Sequence, residues 1–363
     1  MISKNDFLPS KYTQPIAQGS FQWSAPSNIA LVKYWGKKED QIPANPSVSF
    51  TLKNCKTITQ LAFVKKENDG NFSFDLLFEG KPKEDFKPKI QKFFERIESY
   101  CPFLKEYHFT IDTQNTFPHS SGIASSASGM AALAMNVMSL EKALNPEMTE
   151  VFFYQKASFL ARLGSGSACR SVKGSVVVWG NHNNTKESAD LFGVEFPNKI
   201  HENFHQYQDT ILLVDKGEKQ VSSTVGHDLM HDHPYAERRF AQAHENLDRL
   251  SMVLKNGNLD AFIAIVESEA LTLHAMMMTS MPYFILMKPN TLEIINAIWK
   301  FRKETQIPVC FTLDAGANVH VLYPNNVKES VLQFIKDELV VYCQNGQYIC
   351  DEIGSGSQLI IDN

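Results

Sequence analysis

The 363-residue sequence has no stretch approaching eighteen uninterrupted apolar side chains, the run a helix needs to cross a bilayer. Its first residues are polar and lack the apolar centre of a secretion signal, so a soluble, cytoplasmic protein that meets no membrane is expected. A strong excess of either charge is also missing. Thirty-five Lys+Arg against 40 Asp+Glu leave a net charge of −5, which offers no surface for nucleic acid. The lysines between Lys81 and Lys92 are interleaved with Glu and Asp and read as a solvated face. Six cysteines, Cys55, Cys101, Cys169, Cys310, Cys343 and Cys350, include no C-x-x-C pair, so reduced, mostly buried thiols are expected. Internal repeats and low-complexity tracts are lacking, which excludes a solenoid.

What is present is a globular composition, 43% apolar and 21% charged, on a chain long enough for two domains. Its central feature runs from Asn115 to Gly129 (NTFPHSSGIASSASG). An alternating segment, Tyr107 to Asp112, leads in, and Met130, Leu133, Val137, Leu140 and Leu144 continue at helical spacing. Small residues between a strand and a helix start expose backbone N–H groups at the positive helix end, where phosphate binds. No Gly-Lys-Ser/Thr closes the loop, so it is not a Walker A motif. Tight packing is the competing reading.

Asn45 to Leu52 and Thr57 to Val64 alternate as paired strands, Phe72 to Phe78 adds a third, and Lys87 to Ser99 is a helix with Ile90, Phe93, Phe94 and Ile97 inward. Strands before helices indicate α+β architecture. Thr149 caps a helix from Glu150 to Leu163, and a strand from Ser175 to Trp179 follows. Residues 1–20 read as a loosely held arm, 21–195 as a first domain and 196–363 as a second, with the boundary between 185 and 205. The second half carries strands at Thr210 to Val214 and Leu359 to Ile361. Its helices run near Tyr235 to Lys255, Leu259 to Met277 and Leu292 to Thr305. A strand, acidic turn and strand occupy Val309 to Tyr323.

Several residues carry two readings. Lys33, Tyr34 and Lys37 around Gly36 suit an anionic ligand, or an amphipathic strand with snorkelling lysines. Arg170 in Gly164-Ser-Gly-Ser-Ala-Cys-Arg-Ser171 suits a carboxylate or phosphate ligand, or a core carboxylate of the protein. Asp314 before Gly316 is a site residue or a turn residue. His227, Asp228, His231, Asp232 and His233 raise a metal site, but Pro234 interrupts any helix and a surface cluster is favoured. Met276, Met277 and Met278 read as packing.

Four segments, Ala25 to Lys37, Phe117 to Ala127, Gly164 to Ser171 and Leu313 to Asn318, together resemble the GHMP kinase superfamily and, within it, the diphosphomevalonate decarboxylase family. The resemblance runs from about Phe21 to the C-terminus in the family's order. It implies a two-domain GHMP kinase-like fold with the active site in the cleft between domains, a homodimer, and use of ATP and Mg²⁺. The implied reaction phosphorylates the tertiary 3-hydroxyl of mevalonate 5-diphosphate, then releases phosphate and CO2 to leave isopentenyl diphosphate. By the matched motifs Asp314 would be the general base, Lys33 would keep it ionised, and Arg170 would hold the substrate carboxylate. Tyr34, Lys37, Ser165, Gly166 and Ser167 would meet the diphosphate, with Ser222 and Ser223 at the cleft. Pro118, Ser121, Gly122, Ala124, Ser125 and Ser126 would receive the ATP phosphates, the hydroxyls of Ser125 and Ser126 serving Mg²⁺.

Three departures stand out. Ala317 replaces the usual proline of the acidic turn, which is expected to loosen it. Gly226-His227 replaces Gly-Met, and His231 falls where some relatives carry an arginine for the diphosphate. The last departure keeps open a monophosphate decarboxylase or a mevalonate-type 3-kinase; a catalytically silent phosphometabolite-binding homologue is the alternative of another class.

Overall fold

A computed structural model describes residues 2–9, 11–118, 123–215 and 223–362. The first half contains β1 (Gln18–Val32), β2 (Ser47–Lys65), β3 (Ser73–Phe78), β4 (Lys81–Pro82), α1 (Lys87–Ile97), β5 (Tyr107–Asn115), α2 (Ser125–Leu144), α3 (Glu150–Gly164), β6 (Val176–Trp179) and β7 (Val194–Glu195). The second contains β8 (Gln208–Leu212), α4 (Ser223–Asp228), α5 (Ala236–Asn256), α6 (Leu259–Met278), α7 (Pro289–Thr305), β9 (Cys310–Thr312), β10 (Val319–Tyr323), α8 (Lys328–Phe334), β11 (Tyr348–Glu352) and β12 (Gln358–Asp362). The architecture is mixed α+β.

The first sheet runs β12-β1-β2-β5-β3-β4, with β6 paired to the other part of β2 and β7 to β6. Only β3 and β5 pair in parallel among these strands. Helices α1 to α3 close one core against it; of the expected inward residues Phe93, Phe94, Ile97, Met130, Leu133 and Leu140 are buried, and Ile90 is partly buried against that core. Thr149 caps α3 by accepting the Phe152 N–H at 3.2 Å. The second sheet, β11-β8-β10-β9, is antiparallel and packs on α7 and α8.

Two expectations are corrected. The segments Asn45 to Leu52 and Thr57 to Val64 form not a pair but one strand, β2, whose irregularity lies where the Asp351 carboxylate collects successive N–H groups of Lys53, Asn54 and Cys55 at 3.0, 2.8 and 2.7 Å. Those donors would otherwise be stranded at the register shift. The N-terminal arm is not loose: Phe7 is 1% exposed and stacks on Phe159 with ring centroids 4.4 Å apart.

Helix α6 is long and apolar enough to cross a membrane by composition. It is instead the central helix of this fold, touching β1 and β9, and its Glu267, Glu269 and His274 are buried with polar partners. A continuous core containing Ile29, Val48 and Phe50 from the first half and Ile211, Leu250 and Phe262 from the second joins the two. The last strand, β12, pairs with β1, so the end of the chain returns to the edge of the first sheet.

Candidate active site

Lys33 follows the final residue of β1 and is 1% exposed. Its main chain is clamped from the second half. The N–H donates to Glu269 Oε2 at 2.8 Å, and the carbonyl accepts from Arg239 Nη2 at 3.1 Å and Asn45 Nδ2 at 2.9 Å. Glu269 is held by both Arg239 Nη atoms, at 3.0 and 2.5 Å, and by Asn246 Nδ2 at 2.6 Å. So fixed, the lysine aims Nζ at Asp314 Oδ1, 3.0 Å away. Burial pushes the ammonium below its ordinary value, and the adjacent Asp314 opposes that shift.

Asp314 lies in the turn between β9 and β10, its side chain 31% exposed while Lys33 is enclosed, so the carboxylate faces open space. His274 Nε2 donates to the Asp314 carbonyl at 3.1 Å; burial lowers that imidazole to about 4 and keeps it neutral. The turn expected to loosen at Ala317 is tied down, because Thr291 Oγ1 donates to the Ala317 carbonyl at 2.7 Å.

Arg170, 3% exposed, sits on the short 3-10 turn Gly166–Ser171. Its Nη1 donates to Ser47 Oγ at 2.6 Å, Nε to Asn28 Oδ1 at 3.4 Å, and the guanidinium lies 5.6 Å from the Trp179 ring centroid. Among the described residues no carboxylate forms an ion pair with it. Neutral groups orient the guanidinium, with the Asp314 carboxylate within electrostatic reach, which leaves it able to pair with an anionic ligand. The reading of a core-paired arginine is thereby removed.

Tyr34 packs on Trp179 and His227, with centroids 4.6 and 4.2 Å away. A Cβ on Gly166 would lie 3.0 Å from both the Tyr34 hydroxyl and the Trp179 ring, so the glycine lets both rings approach closely. Asn28 Nδ2 donates to the Ser167 carbonyl at 3.2 Å, which ties that serine to the residue orienting Arg170. Lys37 Nζ lies 3.4 Å from Asp228 Oδ1. Ser126 Oγ donates to Ser165 Oγ at 3.2 Å, joining the nucleotide-loop candidate to the arginine turn.

Ala124 precedes α2 in the left-handed region at φ 45, and among the described residues no side chain caps the helix. The Ala127 N–H turns back to the Ala124 carbonyl at 2.8 Å, while the N–H groups of Ser125 and Ser126 at the positive helix end have no partner among the described residues and can meet an anion beside those hydroxyls. Lys89 Nζ donates to Ser126 Oγ at 3.0 Å, and both line a cavity of about 270 Å³ between α2 and the sheet. Exposed Pro118 ends the strand side of this loop. Ser121, Gly122 and Ser222 lie outside the described residues, as does the side chain of Ser223.

Two family models match the chain. The diphosphomevalonate decarboxylase-like N-terminal domain covers residues 25–190, and the mevalonate 5-diphosphate decarboxylase C-terminal domain covers 210–356.

The chain belongs to the diphosphomevalonate decarboxylase family.

It is 28% identical over 338 residues to the diphosphomevalonate decarboxylase of Ganoderma lucidum, covering 86% of this chain and 80% of that one. It is 28% identical over 332 residues to that of Saccharomyces cerevisiae, with the same two coverages. A solved structure of MDDEF in complex with MVAPP, AMPPCP and magnesium superposes with a TM-score of 0.80 at 27% identity, over 95% of this chain and 99% of that one. Mevalonate diphosphate decarboxylase from Staphylococcus aureus gives a TM-score of 0.80 at 26% identity, over 95% and 98%.

Within this decarboxylase-family chain the histidine cluster divides. His233 Nε2 donates to the Met276 carbonyl at 3.1 Å inside the protein, His227 Nδ1 accepts the Gly36 N–H at 3.0 Å, and His231 is exposed. Among the described residues no group of three His, Cys, Asp or Glu is placed to hold a metal. Sequence reading missed Glu269, Arg239, His274, Asn28 and Ser47. The available signal was charge inside an apolar helix: Glu269 and His274 interrupt α6 on its buried side.

Proposed function

We propose that the protein catalyses the ATP-dependent decarboxylation of mevalonate 5-diphosphate to isopentenyl diphosphate, releasing ADP, phosphate and CO2. The observation that carries this is a partly exposed Asp314 carboxylate, ion-paired to enclosed Lys33, near an arginine with which no carboxylate among the described residues forms an ion pair.

Asp314 takes the proton of the tertiary 3-hydroxyl as that oxygen attacks the terminal phosphoryl group of ATP. Phosphorylation turns a poor leaving group into a good one. As the C3–O bond breaks, positive charge grows at C3. The C1–C2 electron pair then forms the alkene while C1 departs as CO2. Arg170 holds the carboxylate in position, and its dry, pre-oriented guanidinium costs little reorganisation. Tyr34, Lys37 and the Ser165 to Ser167 turn orient the phosphorylated end.

The uncapped N-terminus of α2 and its serines fit the ATP phosphates, with Lys89 beside them. Mg²⁺ would be held through those phosphates and the Ser125 and Ser126 hydroxyls, where it would offset phosphate charge. We carry as parts of the same proposal a cytoplasmic homodimer acting on small molecules alone, and nucleotide-binding and C-terminal domains spanning about 21–195 and 196–363. Incubation with ATP, Mg²⁺ and a panel of mevalonate, its 5-monophosphate and its 5-diphosphate, reading ADP and CO2 in parallel, tests the function. Equal ADP and CO2 from the diphosphate is expected; ADP without CO2 would mean a kinase, and neither product would mean a silent homologue.

A further inference from the structure

Beside the site lies a second cavity, of about 420 Å³, bounded by the N-terminal turn, the Lys37 to Gln41 segment, the ends of α1 and α3, and the residues after α4. It borders the cleft through Lys37, which follows Gly36, whose N–H donates to His227 against the Tyr34 ring. Its wall carries five permanent cations, Lys4, Lys37, Lys38, Arg96 and Arg162, against Glu39, Asp40 and Asp228.

Arg162 is 0% exposed overall. Its Nε donates to the Leu191 carbonyl at 2.7 Å and its Nη1 to the Asp40 carbonyl, while Nη2 has no partner among the described residues. A buried guanidinium with a spare donor, in the wall of a polar cavity, is a prepared anion contact. Arg96 is likewise only half used: Nη1 donates to the Leu163 carbonyl at 2.8 Å, and no other hydrogen bond from it is made among the described residues. Lys4 is brought to the rim because Phe7 anchors its turn on Phe159, and it pairs with Asp40 at 2.7 Å.

We propose that this cavity receives the terminal phosphoryl group of the substrate's diphosphate, and that Arg96, Arg162 and Lys4 make the protein prefer a diphosphate to a monophosphate. None of these three lies in a segment to which the resemblance assigns diphosphate contacts. Their charge answers the absence of an arginine at His231, which stands in the same wall. The inference rests on the mevalonate diphosphate reading and names the residues that set its substrate length.

The test uses the full chain with Arg96→Gln and Lys4→Gln, both exposed positions. The ratio of kcat/KM for the diphosphate over the monophosphate should fall about tenfold for Arg96→Gln, the equivalent of one lost charge contact, and by a smaller factor for Lys4→Gln. An unchanged ratio overturns the proposal. If the wild type turns over neither compound, the functional reading fails separately, and calorimetry with inorganic pyrophosphate alone decides the cavity. Binding weakened by Arg96→Gln supports it, whereas no binding to wild type, or equal binding to both proteins, overturns it.

Discussion

Lys33 Nζ stands 3.0 Å from Asp314 Oδ1, with the lysine at the end of a strand in the first sheet and the aspartate in a turn of the second. The proposed catalytic pair therefore spans the two halves of the protein. Asp314→Asn removes the base and leaves an enclosed ammonium facing a neutral amide. Turnover should drop by about 10²-fold to 10⁴-fold with the fold retained. Single-turnover ADP formation checks this; near-normal rates would remove Asp314 from proton transfer.

Arg170→Ala should cost roughly 2 to 5 kcal/mol in kcat/KM, because the substrate carboxylate would enter a buried site without its partner. A mevalonate analogue lacking the carboxylate should bind both proteins alike. Titrating the two ligands against the two proteins separates a carboxylate contact from a general loss of structure.

Glu269→Ala should destabilise the protein by about 3 to 5 kcal/mol, since Arg239 would keep a buried charge with no counter-ion. The Lys33 N–H would be orphaned in the same step. Urea denaturation gives the stability; turnover of the folded fraction should fall as well.

Gly226→Ala sets a Cβ only 2.5 Å from the Trp35 ring. The contact falls on short α4, which docks by His227 on the Gly36 N–H and by Asp228 on Lys37. Overpacking of this kind costs about 1 to 3 kcal/mol. The effect should appear as a raised KM for the phosphorylated substrate together with a modestly lowered Tm. A lowered Tm with unchanged KM would mean that α4 matters only for folding.

Acid should weaken the fold through His274. This imidazole titrates at its ordinary 6.5 when unfolded and at about 4 in the folded protein, where burial disfavours the charged form. Between those values the unfolded chain binds more protons, so stability falls as pH drops from about 6.5 to 4, and the penalty is complete below that. His227, pushed to about 3, acts in the same direction. His274→Gln should flatten the slope of Tm against pH in this window without abolishing it; an unchanged slope would show that His274 is not the responsible group.

Local patterns were legible in the chain, and long-range pairings were not. The Thr149 cap and the Met130 to Leu144 helix rest on contacts within a few residues, and both stand where spacing put them. Lys33, Tyr34, Lys37, Arg170 and Asp314 were singled out by motif, and the fold brings Lys33 against Asp314 and leaves Arg170 oriented by Ser47 and Asn28. Asp351 bracing Lys53 to Cys55 could not be read, because a carboxylate nearly three hundred positions away carries no periodic sign of its target. Phe7 escaped for a related reason: a lone aromatic in a polar stretch has no pattern, although its ring is enclosed. The Lys33 clamp was hidden because Glu269 and Arg239 each look like ordinary helix charges until α5 and α6 pack together.

The hydrogen bonds between β12 and β1 impose an order of assembly. During synthesis the first sheet must wait with one edge unpaired until residues 358–362 have left the ribosome, since they supply the missing neighbour of residues 21–24. A nascent chain arrested upstream of Gln358 would carry an open edge ready to recruit the wrong partner.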